Sequence, residues 1–170
     1  MKRLLSFLFL HLFIGLAVTS MAQVNHWETI VFDSSQWTYA VPTNSTDSLW
    51  YVPSYDDSNW SVANGGFGTG DADDNTVLPS GTSAVYQRIH FQVSSVTDIQ
   101  KLILAADFDD GFVAYLNGTE IARFGFSTGV YPQYNDFAEG QHEAQLYQGL
   151  NPETFILTFN AVQSLLVSGD

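Results

Sequence analysis

The sequence predicts an all-β domain, a β-sandwich of two antiparallel sheets. Three observations point there. Asn117-Gly118 sits between two apolar runs, and that dipeptide suits a two-residue type I′ hairpin turn, in which both central residues need positive φ. Within residues 107–123, Phe112, Ala114 and Leu116 alternate with Val113 and Tyr115, so both faces of the first hairpin strand are apolar, as inside a two-layer structure. Aromatic residues make up 15% of the chain and long helical patterns are absent, a composition that favours strands.

The first residues read as a processing signal. Met1-Lys2-Arg3 is basic, residues 4–18 are almost wholly apolar, and Ser20-Met21-Ala22 supplies small residues for a signal peptidase. Cleavage after Ala22 is expected, dividing the chain into a signal peptide, 1–22, and a single domain, 23–170. The apolar run is short for a spanning helix, which needs about 20 residues. Cleavage removes Lys2 and Arg3 and takes the formal charge from −13 to −15. That charge excludes nucleic acid as a partner and disfavours anionic membranes. It leaves neutral ligands and cations. The chain contains no cysteine, so an exported domain must be held by its core, with a structural Ca²⁺ as the one candidate cofactor.

Taken in order, residues 27–32 read as a first strand ended by Asp33-Ser34-Ser35, and residues 36–40 as a short second strand. Residues 42–48 form a polar loop and 49–52 a further extended piece. Residues 54–60 are turn-rich and deliver Trp60; a glycine cluster follows at 65–70, then an acidic stretch at 71–75. Residues 84–93 alternate well, with Val85, Ile89, Phe91 and Val93 on one face and Arg88, His90 and Gln92 on the other. Residues 101–106 read as an apolar strand leading into the hairpin, 124–140 as a long loop, and 155–159 as a strand. Residues 161–167 are apolar and 165–170 look like a lead into a turn and one more strand, so the chain is expected to be a fragment of a longer protein, lacking the last strand of one sheet.

Four motifs then line up: Tyr55-Asp56-Asp57-Ser58-Asn59-Trp60, residues 68–76, Val85-Tyr86-Gln87-Arg88-Ile89-His90-Phe91, and the 107–123 hairpin. In this order they resemble the galactose-binding-like jelly-roll modules of secreted bacterial proteins, found ahead of CotH-type kinase-like or lamin-tail-like domains and beside glycoside hydrolases. The resemblance spans roughly 27–170. It implies a jelly-roll sandwich, frequent carbohydrate binding, downstream domains of the same protein, and no catalysis within the module.

Candidate chemistry is sparse. Asp71, Asp73 and Asn75 match the first half of a calcium loop, D-x-D-x-N, in which oxygen ligands at alternate positions converge on a hard cation. Thr76 stands where glycine is needed and Thr82 where the bidentate Glu belongs, so this is no EF-hand; the alternative is a solvated acidic loop whose Asp side chains cap turns. Asp107, Asp109 and Asp110 either shape the hairpin entry or offer a rim contact. No G-x-S-x-G elbow and no H-E-x-x-H occurs, and His26, His90 and His142 are isolated. Trp37, Trp50 and Trp60 read as core or sheet-edge residues. Tyr131 and Tyr134, beside Asn135 and Asp136 in a loop, are better placed as an exposed platform: flat rings stack on pyranose faces while carboxylates take hydroxyl groups. The expected function is a non-catalytic extracellular carbohydrate-binding or accessory module, secreted or at the cell surface, with a glycan or cell-surface polysaccharide bound by Tyr131, Tyr134 and Asp136. Two other readings are a structural or adhesive spacer and a fragment of an enzyme whose catalytic part lies downstream.

Overall fold

A computed structural model describes residues 26–44, 46–70 and 74–167. The predicted signal peptide therefore lies outside the described residues. The regular structure of the described chain is mostly strand, with one short α-helix and several antiparallel sheets. Strand β1 (Gln36–Ala40) is the centre of a three-stranded antiparallel sheet, between β2 (Ser61–Asn64) and β5 (Tyr86–Arg88). A small parallel pair joins β3 (Phe67–Gly68) to β4 (Thr76–Val77). Strand β6 (Lys101–Ala106) pairs antiparallel with β9 (Glu153–Thr158), and β7 (Phe112–Leu116) with β8 (Thr119–Phe124). Helix α1 (Phe159–Leu165) follows β9.

The hairpin forms as its sequence requires. Asn117 has φ 48° and Gly118 φ 82°, the left-handed pair of a type I′ turn. Every residue of β7 is at least half-buried, in keeping with its two apolar faces. A bulge between Ala114 and Tyr115 shifts the register, so Tyr115 faces Glu120 across the pair. The turn is tied to the end of α1, because the Asn117 side-chain amide donates to the Leu165 carbonyl at 2.8 Å.

The main apolar cluster joins Val93, Val96, Leu116, Leu157, Val162 and Leu166. It covers the inner face of β6 and β9, from which Leu102, Leu104 and Leu157 point inward. The outer face carries Ile103 opposite Ile156, 42% and 60% exposed. Strand β6 is thus buried on one face only, although its sequence is apolar on both.

Four expectations need correction. Residues 27–32 are not a strand. Asp33-Ser34 turns the chain back, the Ser35 amide donates to the Phe32 carbonyl, and among the described residues no neighbouring strand supplies ladder bonds. Residues 49–52 are not extended. The amides of Trp50, Val52 and Tyr55 donate to the carbonyls of Asp47, Leu49 and Val52, a run of consecutive turns. The strand expected over 84–93 is regular only at 86–88, the length that pairs with β1; the chain then leaves the sheet to bury Val93 in the main cluster. Residues 159–165 are helical. Val162 and Leu166 are buried, and Ala161 and Leu165 pack beside them, the spacing of an inward helical face.

Candidate functional site

A second packed region is built from aromatic rings. Trp50 is its centre. Its ring stacks on Tyr86 with centroids 4.4 Å apart and 15° between planes, and meets Tyr115 edge-on at 6.0 Å. Tyr51 stacks on Tyr115 at 4.3 Å and lies 5.7 Å from Tyr131. Trp60 extends the cluster, 6.2 Å from Trp50 and 5.5 Å from Tyr55. Offset and edge-on geometries of this kind are those the ring quadrupole favours. Trp50 and Trp60 therefore pack within the fold.

An ion pair anchors the cluster. The Arg88 guanidinium donates from Nε to Asp57 Oδ2 at 3.1 Å, and from Nη1 to the carbonyls of Trp50 and, at 3.1 Å, Val52. It also lies over the Tyr55 ring, 5.5 Å from the centroid. Thr38 Oγ1, on β1, donates to the same carboxylate oxygen at 2.5 Å. Burial acts to raise the Asp57 carboxyl, but the Thr38 and Arg88 hydrogen bonds outweigh it and hold it below its ordinary value. The Tyr55 to Trp60 motif is thus architectural. Asp56 accepts from the Ser58 amide, Asp57 holds Arg88, and Tyr55 and Trp60 pack on what Arg88 fixes.

On top of this cluster lies a depression of about 220 Å³. Tyr86, Tyr131 and Tyr134 provide its rings; Thr43, Asn44, Thr46 and Ser48 from the polar loop, with Gln133, provide hydroxyl and amide groups. The Trp50 indole N–H donates to Tyr131 Oη at 2.7 Å, and a further hydrogen bond joins Tyr131 to Tyr86. Burial pushes the Tyr131 hydroxyl well above the usual phenol range, and burial also raises that of Tyr86, so both are neutral at any physiological pH. No charged side chain is among the described residues that line the depression. It offers flat apolar faces and uncharged hydrogen-bonding groups.

Of the expected ligand-binding residues, Tyr131 and Tyr134 come together here. Tyr131 is half-buried and linked to Trp50, so it forms the floor and not a free platform. Tyr134 sits on a turn closed by two bonds: the Asp136 amide donates to the Gln133 carbonyl at 3.0 Å, and the Gln133 amide to Asp136 Oδ2 at 2.8 Å. Asp136 shapes that turn and lines a separate, neighbouring depression. Sequence reasoning missed Tyr86 and the 43–48 loop. Tyr86 alternates inside a strand, and the loop's only signal was its run of Thr, Asn and Ser.

The expected calcium ligands are divided. Asp71 and Asp73 lie outside the described residues. Asn75 uses its side-chain N–H to donate to the Gly65 carbonyl at 2.9 Å, which leaves its Oδ1 as the atom able to face a cation. Among the described residues, no group of three or more His, Asp or Glu could hold a metal ion. The other acidic cluster shapes the hairpin entry. Asp107 accepts from the amides of Gln145 and Leu146 at 2.7 and 3.1 Å; the amide of Asp110, at φ 57°, donates to the His142 carbonyl, and the His142 amide donates back to Asp110 Oδ1 at 3.4 Å. His142 itself stacks on Phe108 at 4.2 Å.

No helix among the described residues is long and apolar enough to cross a membrane. No protein-family profile, curated protein or solved structure matches the chain.

Proposed function

We propose that this chain is an exported, non-catalytic module that binds a neutral glycan in the Tyr86, Tyr131 and Tyr134 depression. The observation that carries the reading is the lining itself. In a chain of formal charge −13, three tyrosines and a ring of neutral Thr, Asn, Ser and Gln groups meet in one concavity without a charged side chain among its described residues. Sugars present apolar ring faces edged by hydroxyl groups, the pattern such a lining complements. The jelly-roll sandwich of the galactose-binding-like modules, with attached downstream domains, is the architecture proposed for it. A structural Ca²⁺ at Asp71, Asp73 and Asn75 belongs to the same proposal.

A thermal melt of the purified chain against a panel of neutral oligosaccharides tests the reading, run with calcium and with chelator. A ligand that binds only the folded state raises Tm, by about 2.7 kcal/mol of added stability at a hundredfold excess over Kd. One sugar class should raise Tm, and Tyr134→Ala should abolish the rise while leaving the unliganded melt unchanged. A transition that no sugar shifts favours the structural or adhesive spacer. A Tm unmoved by calcium and by chelator removes the metal.

A further inference from the structure

The 130–133 segment is a partition with a different surface on each side. Tyr131 and Gln133 line the neutral depression; Val130 and Pro132, the alternate residues, line a second one of about 270 Å³. Its other walls are Phe126 and Phe137, and Phe137 is 81% exposed. Two carboxylates, Asp136 and Glu139, face the same space. Asp136 Oδ2 accepts from the Gln133 amide and Glu139 Oε1 from the Ser127 hydroxyl, both at 2.8 Å, so each carboxylate keeps a second oxygen for another donor. The nearest cation is already engaged. Arg123 is held by Glu120 at 2.6 and 2.7 Å and donates from Nη1 to the carbonyls of Ser127 and Val130. No Lys, Arg or His among the described residues pairs with Asp136 or Glu139.

We propose that this second depression holds the protonated amine of an amino-sugar residue, so that the glycan bound across the partition is an amino-sugar oligomer. The inference rests on the reading that a glycan binds in the tyrosine-lined depression, and it gives that glycan a charged amine on the unit beyond the partition. An ammonium group needs acceptor oxygens and gains from an exposed aromatic face, and both are present here in a strongly acidic molecule that attracts cations. A basic peptide would use this depression but not the neutral, tyrosine-lined one beside it. A ligand with hydroxyl groups and an amine on adjacent units uses both.

The test is equilibrium binding of the full chain to a β-1,4 glucosamine oligomer, to its N-acetylated counterpart of equal length, and to oligolysine, at a pH where the amine is charged. The glucosamine oligomer should bind about tenfold more tightly than the acetylated one, the worth of one charge-assisted contact. That advantage should shrink with added salt. Glu139→Gln keeps an acceptor for Ser127 and removes one of the two charges; it should reduce the advantage severalfold and leave the acetylated oligomer's affinity unchanged. Phe137→Ala, at an exposed position, should reduce it. Equal binding of the two sugars, with Tyr134→Ala weakening both, overturns this inference and leaves the glycan reading standing. An advantage unchanged by Glu139→Gln also overturns it. Oligolysine binding that depends on Glu139 but not on Tyr134, without sugar binding, overturns it in favour of a basic peptide. Absence of binding to either sugar overturns this inference, and the glycan reading is then decided by the panel melt above.

Discussion

Arg88 ties together several segments of the fold. It is 9% exposed, on the face of its strand that sequence alternation marks as polar, yet it is satisfied by one carboxylate, two carbonyls and a ring. Removing one partner of such a pair leaves an uncompensated charge out of water, at a cost of about 3–5 kcal/mol. Asp57→Asn is therefore predicted to lower stability at pH 7 by about 3 kcal/mol, read by urea denaturation. The pH dependence follows from the direction of the Asp57 shift. Its folded-state value lies below the ordinary 3.8, so the stability it contributes is fully present above that value and lost as pH falls through the folded one. The gap between wild type and Asp57→Asn should accordingly narrow below about pH 4. A gap that stays constant with pH would mean that the carboxylate is not what Arg88 relies on.

Among the elements, the 107–123 hairpin was legible from its residues because a type I′ turn is a local requirement. Two positive φ values in succession select Asn-Gly whatever the rest of the chain does. Gly118→Ala should cost about 1–2 kcal/mol, since a Cβ at φ 82° is strained and would meet Pro53 at 3.3 Å. A loss of less than about 0.5 kcal/mol in the denaturation midpoint would show that the turn adapts. The strands at 36–40 and 153–158 were also readable, although the second begins two residues earlier than its apolar run suggests. The elements that were misread depend on distant partners. Residues 27–32 have strand-like composition but no partner strand among the described residues, and β propensity without a ladder forms nothing. Residues 49–52 are turned while carbonyls of Trp50 and Val52 are held by Arg88, 36 to 38 residues away. Helix α1 spans only seven residues, too few for the period of 3.6 to stand out from a continuous apolar run.

For the molecule as a whole, charge and site were legible to different degrees. The charge of −13 is plain from composition, and its self-repulsion opposes compaction. Raising salt from about 10 to 150 mM shortens the screening length from roughly 30 to 8 Å and should raise Tm. A Tm that falls would show that the ion pairs outweigh that repulsion. Two tyrosines of the site were visible as aromatic residues in a polar loop. The depression was not, because it is assembled from three separate segments, 43–48, Tyr86 and 131–134, which only folding brings together. Asp136 was grouped with the tyrosines by nearness in sequence, whereas its neighbour across the turn faces the other side of the partition. The most direct test of the central claim is a map of amide chemical-shift changes on ¹⁵N-labelled protein as the stabilising oligosaccharide is added. Neutral-glycan binding predicts changes concentrated at residues 43–48, 86 and 131–134. Changes concentrated elsewhere, or none at saturating sugar, would contradict it.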